Sequence, residues 1–373
     1  MMPVAQPQRH VLFLIPTLNG GGAERVIVTL LKHLDRRRFR LTLGVVDMHQ
    51  AVFGDDIPAD VECINLGASR VRYALPRIVT LIRKRRPDVV FTTLGHLNLA
   101  LSMVRPLLPN GVRCIARETA IISQALQAYT YPSVWKMLYR RFYRRHDLLI
   151  CQSRDMQTDL IQRFSLPPGR SVIINNPVDV AHINQQAAVP LNHAKLPADR
   201  IRWVAAGRLS AEKGFDLLIE AVAMLGNPKI QIHVLGEGPL LAELQQFAGA
   251  RGVADQIEFV GFQSNPYAWF AQADALVLSS HHEGFPNVVL EALACGTPVI
   301  ATPAPGGVRE ILDDLTGCVM ADRISATALA DAMGAWLAGP RSRMPTSVVA
   351  PYRLERIVTR YASVLLNAGT EST

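Results

Sequence analysis

The sequence predicts an α/β protein made of two Rossmann-like domains, each a doubly wound parallel sheet. Short apolar runs alternate with amphipathic stretches along the chain, a pattern typical of β-α-β units. The length of 373 residues suits two domains, and 49% hydrophobic against 19% charged residues supplies two buried cores. A polar stretch near the middle, residues 176–200, carries three prolines and interrupts the alternation.

Apolar runs bounded by turn-forming residues predict thirteen strands. They are 11–15, 41–46, 61–64, 89–92, 113–116, 148–151, 171–174, 202–206, 231–235, 257–260, 275–278, 298–301 and 317–319. Helical periodicity is found at 23–34, 75–85, 132–145, 154–164, 216–225, 238–250, 287–295 and 326–337. Because strands and helices alternate in both halves, we expect the strands of each sheet to run parallel.

The interrupted stretch at 176–200 is interpreted as the linker between the domains. The first domain is predicted to span residues 1–178 and the second 179–351. A final helix at about 352–368 is expected to pack back on the first domain. Two such domains predict a cleft between them, and ligands of open α/β sheets bind beyond the carboxyl ends of the strands. The functional residues should therefore follow the strands directly.

Composition excludes several classes of protein. The five cysteines are scattered and form no C-x-x-C pair, which argues against a disulfide framework and a structural zinc site. No stretch approaches the roughly 18 apolar residues that span a bilayer. The apolar run at 11–15 is too short for the core of a signal peptide. We therefore expect a cytoplasmic protein.

The net charge of +8 is unevenly distributed. Residues 1–180 hold 25 Lys and Arg against 13 Asp and Glu (+12), and residues 181–373 hold 14 against 18 (−4). Basic segments lie at 83–86 and 135–145, and the second carries an apolar stripe at helical spacing, formed by Trp135, Leu138, Tyr139 and Phe142. Such a helix suits an anionic membrane surface. The alternative is a core-facing helix with a basic outer side. Nucleic-acid binding is disfavoured because no known motif for it is present.

Three segments after predicted strands can carry chemistry. The first is the glycine run 20–22, where the backbone can approach a ligand closely and a helix amino end favours an anion. The alternative is an ordinary tight turn. The run is neither G-x-G-x-x-G nor a P-loop, so a dinucleotide oxidoreductase is disfavoured.

The second segment places Arg208 and Lys213 after the first strand of the second half. An arginine fork and a mobile lysine charge together can hold a diphosphate without a metal. The alternative is an exposed loop with a local Glu212–Lys213 pair.

The third segment carries Glu283 in a loop and Glu291 in the helix that Pro286 begins. Carboxylates accept hydrogen bonds from sugar hydroxyls. The alternative for Glu291 is a salt-bridged or solvated helix residue. The adjacent His281 and His282 point apart on extended backbone and have no third ligand at a suitable spacing, so no metal site is expected.

These segments together resemble the family-4 retaining glycosyltransferases of the GT-B fold. The matching residues are Gly-Gly-Ala-Glu at 21–24, Asn-Pro-Val-Asp at 176–179, Gly-Arg…Lys-Gly at 207–214, Gly-Glu-Gly-Pro at 236–239 and the E-x7-E pair Glu283/Glu291. The resemblance covers most of the chain. It is dense from about 203 to 312 and sparse from about 40 to 170, and it is strongest to enzymes that build bacterial capsule, exopolysaccharide or O-antigen units.

The resemblance implies a role for each matching residue. Arg208 and Lys213 would bind the diphosphate of a nucleotide sugar, Glu283 would lie by the donor sugar and Glu291 would bind the ribose hydroxyls. The donor-binding residues that it implies are Gly21, Gly22, Gly207, Gly236, Gly238, Gly261, Phe262, Gly284, Phe285, Pro286, Asn287 and Glu291.

Three residues of the first half are further candidates by position. Related enzymes place a histidine near the reacting carbon after an equivalent strand, and His96 follows the strand at 89–92. The alternative is a loop histidine. Arg117 and Glu118, after the next strand, are acceptor-side candidates, against an ordinary local ion pair that contributes little.

The resemblance implies a retaining sugar transfer that needs no metal and no cofactor. The expected donor is a UDP-sugar and the expected acceptor is a lipid-linked saccharide. The enzyme would work at the inner face of the cell membrane, without nucleic acid as a partner. Two alternatives are a sugar-nucleotide epimerase on the same fold and a non-catalytic membrane-associated binding protein.

Overall fold

The structure is a computed structural model that describes residues 8–191 and 200–367. The chain forms two compact units. Unit 1 takes Met1–Pro177 together with Glu355–Thr373, and unit 2 takes Val178–Leu354. The chain thus passes from unit 1 to unit 2 and returns for one last helix.

The described part of unit 1 holds a sheet of seven parallel strands. The strands are β1 (Arg9–Ile15), β2 (Phe39–Val45), β3 (Glu62–Asn65), β4 (Val89–Thr93), β5 (Arg113–Arg117), β6 (Leu148–Cys151) and β7 (Ser171–Ile173). The helices are α1 (Gly22–His33), α2 (Val71–Arg85), α3 (Gly95–Val104), α4 (Ile122–Ala125), α5 (Pro132–Phe142) and α6 (Arg154–Phe164). The sheet order is β3-β2-β1-β4-β5-β6-β7.

Unit 2 repeats this plan with six parallel strands among its described residues. After α7 (Val180–Ala187) come β8 (Ile201–Ala206), α8 (Phe215–Leu225), β9 (Ile230–Leu235), α9 (Leu241–Ala250), β10 (Ile257–Gly261), α10 (Tyr267–Gln272), β11 (Ala275–Leu278), α11 (Asn287–Ala294), β12 (Val299–Ala301), α12 (Val308–Leu312), β13 (Val319–Met320) and α13 (Ala326–Ala338). The sheet order is β10-β9-β8-β11-β12-β13, and α14 (Leu354–Leu366) returns the chain to unit 1.

Both sheets are doubly wound, which confirms the predicted fold class. In unit 1 the strand order reverses between β1 and β4, and in unit 2 it reverses between β8 and β11. The crevice outside the carboxyl ends at such a switch point is where ligands of open α/β sheets bind. Ligand-binding residues are therefore expected in the loops after β1, β4, β8 and β11.

Alternating side chains of the central strands fill cores on both faces of each sheet. In β1, Phe13 packs in the same core as the α1 and α14 residues Leu30 and Tyr361, whereas Leu12 packs in the core formed with α2 and α3. In β8, Trp203 packs in the core that also takes in residues of α8 and α13. Burial on both faces explains why these strands read as continuous apolar runs.

The boundary between the units falls inside the segment 176–200, and residues 180–187 of that segment form α7. The Asp179 side chain accepts a hydrogen bond from the His182 N–H at 3.0 Å and so caps the helix. Ile183 is the buried apolar residue of this short helix, so the sequence shows no helical period there. Residues 192–199 of that prediction lie outside the described residues.

Three predicted helix ends differ from the structure by three residues or more. One is the start of α9, which begins at Leu241 rather than 238. Helix α2 begins at Val71 rather than 75, because Pro76 lies inside the helix and not at its start. Helix α5 ends at Phe142, and residues Tyr143–Arg145 continue as a 3-10 turn. The helices α3, α4, α10 and α12 were not predicted; they are short segments among apolar or glycine-rich stretches.

Candidate functional site

The loops at the carboxyl edge of the unit 2 sheet are joined to one another by backbone hydrogen bonds. The Gly207 N–H donates to the Leu235 carbonyl, and the Gly236 N–H donates to the Gly261 carbonyl, both at 2.9 Å. Gly236 has a φ of +139°, and a Cβ there would lie 2.0 Å from the Gly207 carbonyl oxygen. A Cβ at Gly238 would likewise meet the backbone of Leu209. These glycines are therefore required by contact between loops.

The loops after β8 and β11 are in equally close contact. Gly214 has a φ of +60°, and a Cβ there would lie 2.2 Å from the Ser279 carbonyl oxygen. The Ser279 hydroxyl donates to the Lys213 carbonyl at 3.0 Å, and the His281 N–H donates to the Glu212 carbonyl at 2.9 Å. These contacts fix the relative positions of the side chains that follow.

Lys213 and Glu283 form an ion pair at this switch point. The Lys213 ammonium donates to Glu283 Oε1 at 2.8 Å and to Oε2 at 2.9 Å. The hydroxyl of Ser280, a buried residue, donates to the same Oε1 at 2.6 Å. The Glu283 side chain is 7% exposed and that of Lys213 is 24% exposed. The local Glu212–Lys213 pair considered above does not form, since Lys213 binds Glu283 and Glu212 accepts from Ser210.

Arg208 lies in the same loop and faces solvent. No side chain in the described ranges bonds to its guanidinium, and only its carbonyl is engaged, by Ser210. An exposed, unpaired guanidinium next to a paired lysine gives this edge an available cation for an anionic ligand.

The other predicted donor residues of unit 2 differ in exposure. Phe262 follows β10 and is 65% exposed, as an aromatic surface available for contact. Phe285, in contrast, is buried with its ring against Tyr352, so it supports the loop from inside.

The remaining predicted residues lie at the start of α11. Pro286 is the residue before the first turn of α11, Asn287 begins that helix, and Glu291 lies half-buried within it. Gly284 lies in the loop between Glu283 and Phe285.

In unit 1, the predicted glycines Gly21 and Gly22 are exposed and lead into α1. A Cβ at Gly21 would lie 2.3 Å from Oε2 of Glu24, and Thr17 donates to the other oxygen of that carboxylate at 3.2 Å. The buried Glu24 carboxylate thus already occupies the positive end of its own helix. An anionic ligand at this loop would meet that negative charge.

His96 lies at the second position of α3, on an exposed turn after β4. Partial desolvation by the surrounding protein lowers the pKa of its imidazole below the usual value. The preceding Leu94 has a φ of +73° and a ψ of 125°, a strained conformation for leucine. Such strain costs on the order of 1–3 kcal/mol and clusters at functional sites. His96 therefore stays a candidate for a functional residue.

Arg117 is fully buried and forms hydrogen bonds within unit 1. Its guanidinium donates to the Tyr361 hydroxyl at 3.0 Å, to the Thr93 hydroxyl at 3.3 Å and to Asn176 Oδ1 at 2.6 Å. Arg117 therefore ties α14 and the end of unit 1 to the sheet. The structure places this acceptor-side candidate in the interior, away from solvent.

Glu118 is also buried, and it accepts hydrogen bonds rather than pairing with Arg117. Asn98 Nδ2 donates to Glu118 Oε1 at 2.7 Å, and the Tyr143 hydroxyl donates to the same oxygen. Burial raises the pKa of Glu118 to about 6, although both hydrogen bonds oppose the rise. Sequence reasoning missed Ser280, Asn98 and Tyr143, although the S-x-x-E spacing from Ser280 to Glu283 resembles a local cap.

Across the described parts of the chain, no group of three or more His, Cys, Asp or Glu side chains is placed to hold a metal ion. His281 lies 4.0 Å from the Asp216 carboxylate, a surface contact. The metal independence expected from the sequence stays a prediction.

Comparison with protein families gives two matches along the chain. The family described as glycosyl transferases group 1 matches residues 192–347, and the family described as glycosyltransferase family 4 matches residues 20–182.

Two relatives cover most of the chain. A Campylobacter jejuni protein named N-acetylgalactosamine-N,N'-diacetylbacillosaminyl-diphospho-undecaprenol 4-alpha-N-acetylgalactosaminyltransferase is 30% identical over 80% of this chain and 82% of its own length. The lipopolysaccharide core biosynthesis glycosyltransferase LpsE of Rhizobium meliloti is 35% identical over 77% of each chain.

Solved structures share the fold. HepE of Anabaena, crystallised in complex with UDP, has a TM-score of 0.74 at 21% identity and covers 95% of this chain and 99% of its own. A glycosyltransferase from Rickettsia africae has a TM-score of 0.78 at 16% identity and covers 98% and 100%. With these neighbours, the two parallel-sheet units are those of the GT-B fold.

The buried carboxyl of Glu118 predicts a pH-dependent stability. Its pKa of about 6 when folded lies above the ordinary value of 4.5, so folding favours the protonated form. Its contribution is complete below pH 4.5 and is lost as the pH rises past 6. Relative to Glu118→Gln, the wild-type free energy of unfolding should fall by about 2 kcal/mol between pH 4 and pH 7.5 in urea titrations.

The control is Glu355→Gln, an exposed glutamate of unit 1. Its difference from the wild type should stay constant with pH. A Glu118→Gln difference that is equally constant would contradict the prediction.

Proposed function

Since this chain belongs to the glycosyltransferases of group 1 and family 4, we propose that it moves a sugar from a UDP-sugar to a lipid-linked saccharide. The transfer retains the configuration at the anomeric carbon and needs no metal ion or other cofactor. The product serves bacterial surface-polysaccharide synthesis, as the name of the Rhizobium relative, a lipopolysaccharide core biosynthesis glycosyltransferase, indicates for that protein.

The observation that carries this proposal is the pair of cations at the unit 2 switch point. Arg208 is exposed, and in the described ranges no side chain bonds to its guanidinium. Lys213 follows it in a loop whose position is fixed by the β11 loop. A diphosphate bound there is held by a bidentate fork and a point charge. Two cationic side chains at the diphosphate stabilise the departing nucleotide without a metal.

The state of Glu283 supports substitution on one face of the sugar. Its carboxylate accepts three hydrogen bonds, two of them from an ammonium group, and is therefore a weak nucleophile. In the proposed step the bond between the anomeric carbon and the phosphate oxygen breaks, and the acceptor oxygen bonds to that carbon from the same side. The acceptor hydroxyl proton passes to the leaving phosphate.

The remaining predicted residues fit parts of such a donor. Phe262 offers an exposed ring beside the loop after β10, where a base can stack. Glu291 on α11 is our proposed partner for the ribose hydroxyls, and His96 of unit 1 stays a candidate for the sugar. UDP is favoured as the nucleotide because HepE was crystallised with it. The lipid-linked acceptor is favoured by the undecaprenol in the Campylobacter relative's name.

Helix α5 supports contact with an anionic membrane, although not through the residues predicted above. The stripe of Trp135, Leu138, Tyr139 and Phe142 packs into the interior of unit 1. The outward face instead exposes Tyr131, Val134 and Met137, by 74%, 50% and 60%. Exposed cations lie along the same segment: Lys136, Arg140, Arg141 and Arg144. Apolar side chains next to cations suit an anionic bilayer surface.

Within residues 8–191 and 200–367, no helix has both the length and the apolar character needed to cross a bilayer.

Nucleotide binding is the first test of the donor. In EDTA, UDP at 100 times its dissociation constant should stabilise the protein by about 2.7 kcal/mol, seen as a rise in Tm, whereas NAD should not. Glu291→Ala should abolish the UDP effect if that residue holds the ribose. Stabilisation by GDP or ADP alone would contradict the UDP assignment, and no stabilisation by any nucleotide would contradict the proposed function.

Transfer itself should depend on the exposed arginine. With radiolabelled UDP-sugars and bacterial lipid extract as the acceptor, Arg208→Ala should cut label incorporation into the organic phase at least a hundredfold, as expected for losing one charge-stabilising donor. The matched control is Arg200→Ala, an exposed arginine at the opposite, amino end of β8. Near-normal incorporation with Arg208→Ala would remove the mechanism, and interconversion of free UDP-sugars without an acceptor would favour an epimerase.

Membrane contact should depend on α5 rather than on the other basic segment. Each lost charge near an anionic surface weakens binding by about 1 kcal/mol, so Arg140→Gln with Arg141→Gln should weaken co-sedimentation with phosphatidylglycerol vesicles about thirtyfold. The matched control changes Lys84 and Arg86 to Gln, in the basic end of α2 and directly after it. Wild-type protein that fails to sediment at low salt would contradict the membrane proposal.

A further inference from the structure

Among the residues that the structure describes, the partners of Lys213 and Glu283 leave one hydrogen-bonding position free on each side chain. The Lys213 ammonium has three N–H groups and uses two on Glu283. The Glu283 carboxylate has about four acceptor positions, of which Lys213 takes two and Ser280 takes one. What is left is one donor on Lys213 and one acceptor on Glu283 Oε2.

This combination fits a nucleotide sugar better than a free nucleotide. A phosphate oxygen can accept the remaining N–H of Lys213, and a sugar hydroxyl can donate to Oε2 of Glu283. The free nucleotide has no sugar hydroxyl to offer. When the free nucleotide is bound, the Glu283 carboxylate lies beside a negatively charged phosphate. No sugar hydroxyl donates to it to offset the repulsion.

The charges of the two ligands also favour binding of the nucleotide sugar over the free nucleotide. The diphosphate of a nucleotide sugar carries about two negative charges, and the free nucleoside diphosphate gains about one more, because its terminal phosphate loses a proton near pH 6. Glu283 is buried and fixed by Ser280 and Lys213, so its charge cannot turn away from the phosphate. The repulsion therefore falls mainly on the product.

We propose that Glu283, held in place by Ser280 and Lys213, makes the site discriminate against the nucleoside diphosphate product relative to the nucleotide-sugar donor. This rests on the proposed function and adds a specificity role to a residue expected to contact the sugar. The Glu283 carboxylate lowers the affinity for the nucleoside diphosphate, and this product therefore dissociates faster.

The experiment compares dissociation constants for UDP and UDP-glucose by isothermal titration calorimetry in EDTA. Glu283→Gln keeps the shape of the side chain and removes its charge. UDP should bind about tenfold more tightly to this variant, while UDP-glucose binds no more tightly than to the wild type. If thermal stabilisation selects GDP, then GDP and GDP-mannose replace this pair.

Two further variants separate charge from hydrogen bonding. Ser280→Ala keeps the carboxylate charge and loses one hydrogen bond, so the ratio of the two affinities should move less than threefold. Asp331→Asn removes an exposed carboxylate from α13 and should leave the ratio unchanged. Glu283→Ala is measured as well, in case Glu283→Gln does not fold; unfolding lowers affinity and cannot produce the expected gain.

The outcomes distinguish this inference from the proposed function. Wild-type protein that binds neither member of either pair contradicts the proposed function, and the inference falls with it. Wild-type binding with an unchanged ratio in both Glu283 variants contradicts the inference alone. A shift in Ser280→Ala as large as that in Glu283→Gln also contradicts it, because the charge would then not be the cause.

Discussion

Close backbone contact between loops at the carboxyl edge of the unit 2 sheet is the constraint on which the candidate site depends. A side chain at Gly214 or Gly236 would collide with the carbonyl oxygen of Ser279 or Gly207. With glycine at both positions, the loops approach closely enough to bond to each other. Lys213 and Glu283, which are 70 residues apart in the chain, are then held 2.8 Å apart. The glycines of the motif are structural first, and their effect on a ligand follows from the side chains that they bring together.

The protein uses its cations in three different ways, and burial decides which. Arg117 is fully buried and bonded to three neutral groups, so its charge serves the interior of unit 1. Lys213 is partly buried, and a carboxylate offsets the cost of removing its charge from water. Arg208 is exposed, and no side chain among the described residues bonds to its guanidinium. Net charge alone, however uneven along the chain, cannot separate these roles.

The sequence was sufficient to predict the sheets. All thirteen predicted strands are present among the described residues, with ends that differ by at most two residues. Strands buried on both faces are continuous apolar runs, and glycines and prolines bound them, so little else competes for the pattern. Helix α7 was missed because Ile183 is its one buried apolar residue, which leaves no period to detect.

Contacts between distant segments were beyond the sequence. Lys213 and Glu283 were each assigned to a ligand, because nothing in a linear pattern shows that two loops meet. Helix α5 was predicted with the correct start at Pro132, but its apolar stripe faces the interior, and the exposed Val134 and Met137 belong to another face. Helical spacing identifies an apolar stripe, whereas the neighbours that cover it are set by the tertiary fold.

The two switch points each combine a glycine-rich loop with a buried carboxylate. Glu24 follows the glycine run of unit 1 and Glu283 lies in the β11 loop of unit 2, and both are 8% exposed. A nucleotide by itself calls for cations and N–H donors, and a nearby carboxylate weakens its binding. A sugar carries hydroxyls, which donate to carboxylates. In each unit taken by itself, a fixed carboxylate beside a glycine-rich loop is therefore costly for phosphate recognition and useful for hydroxyl recognition.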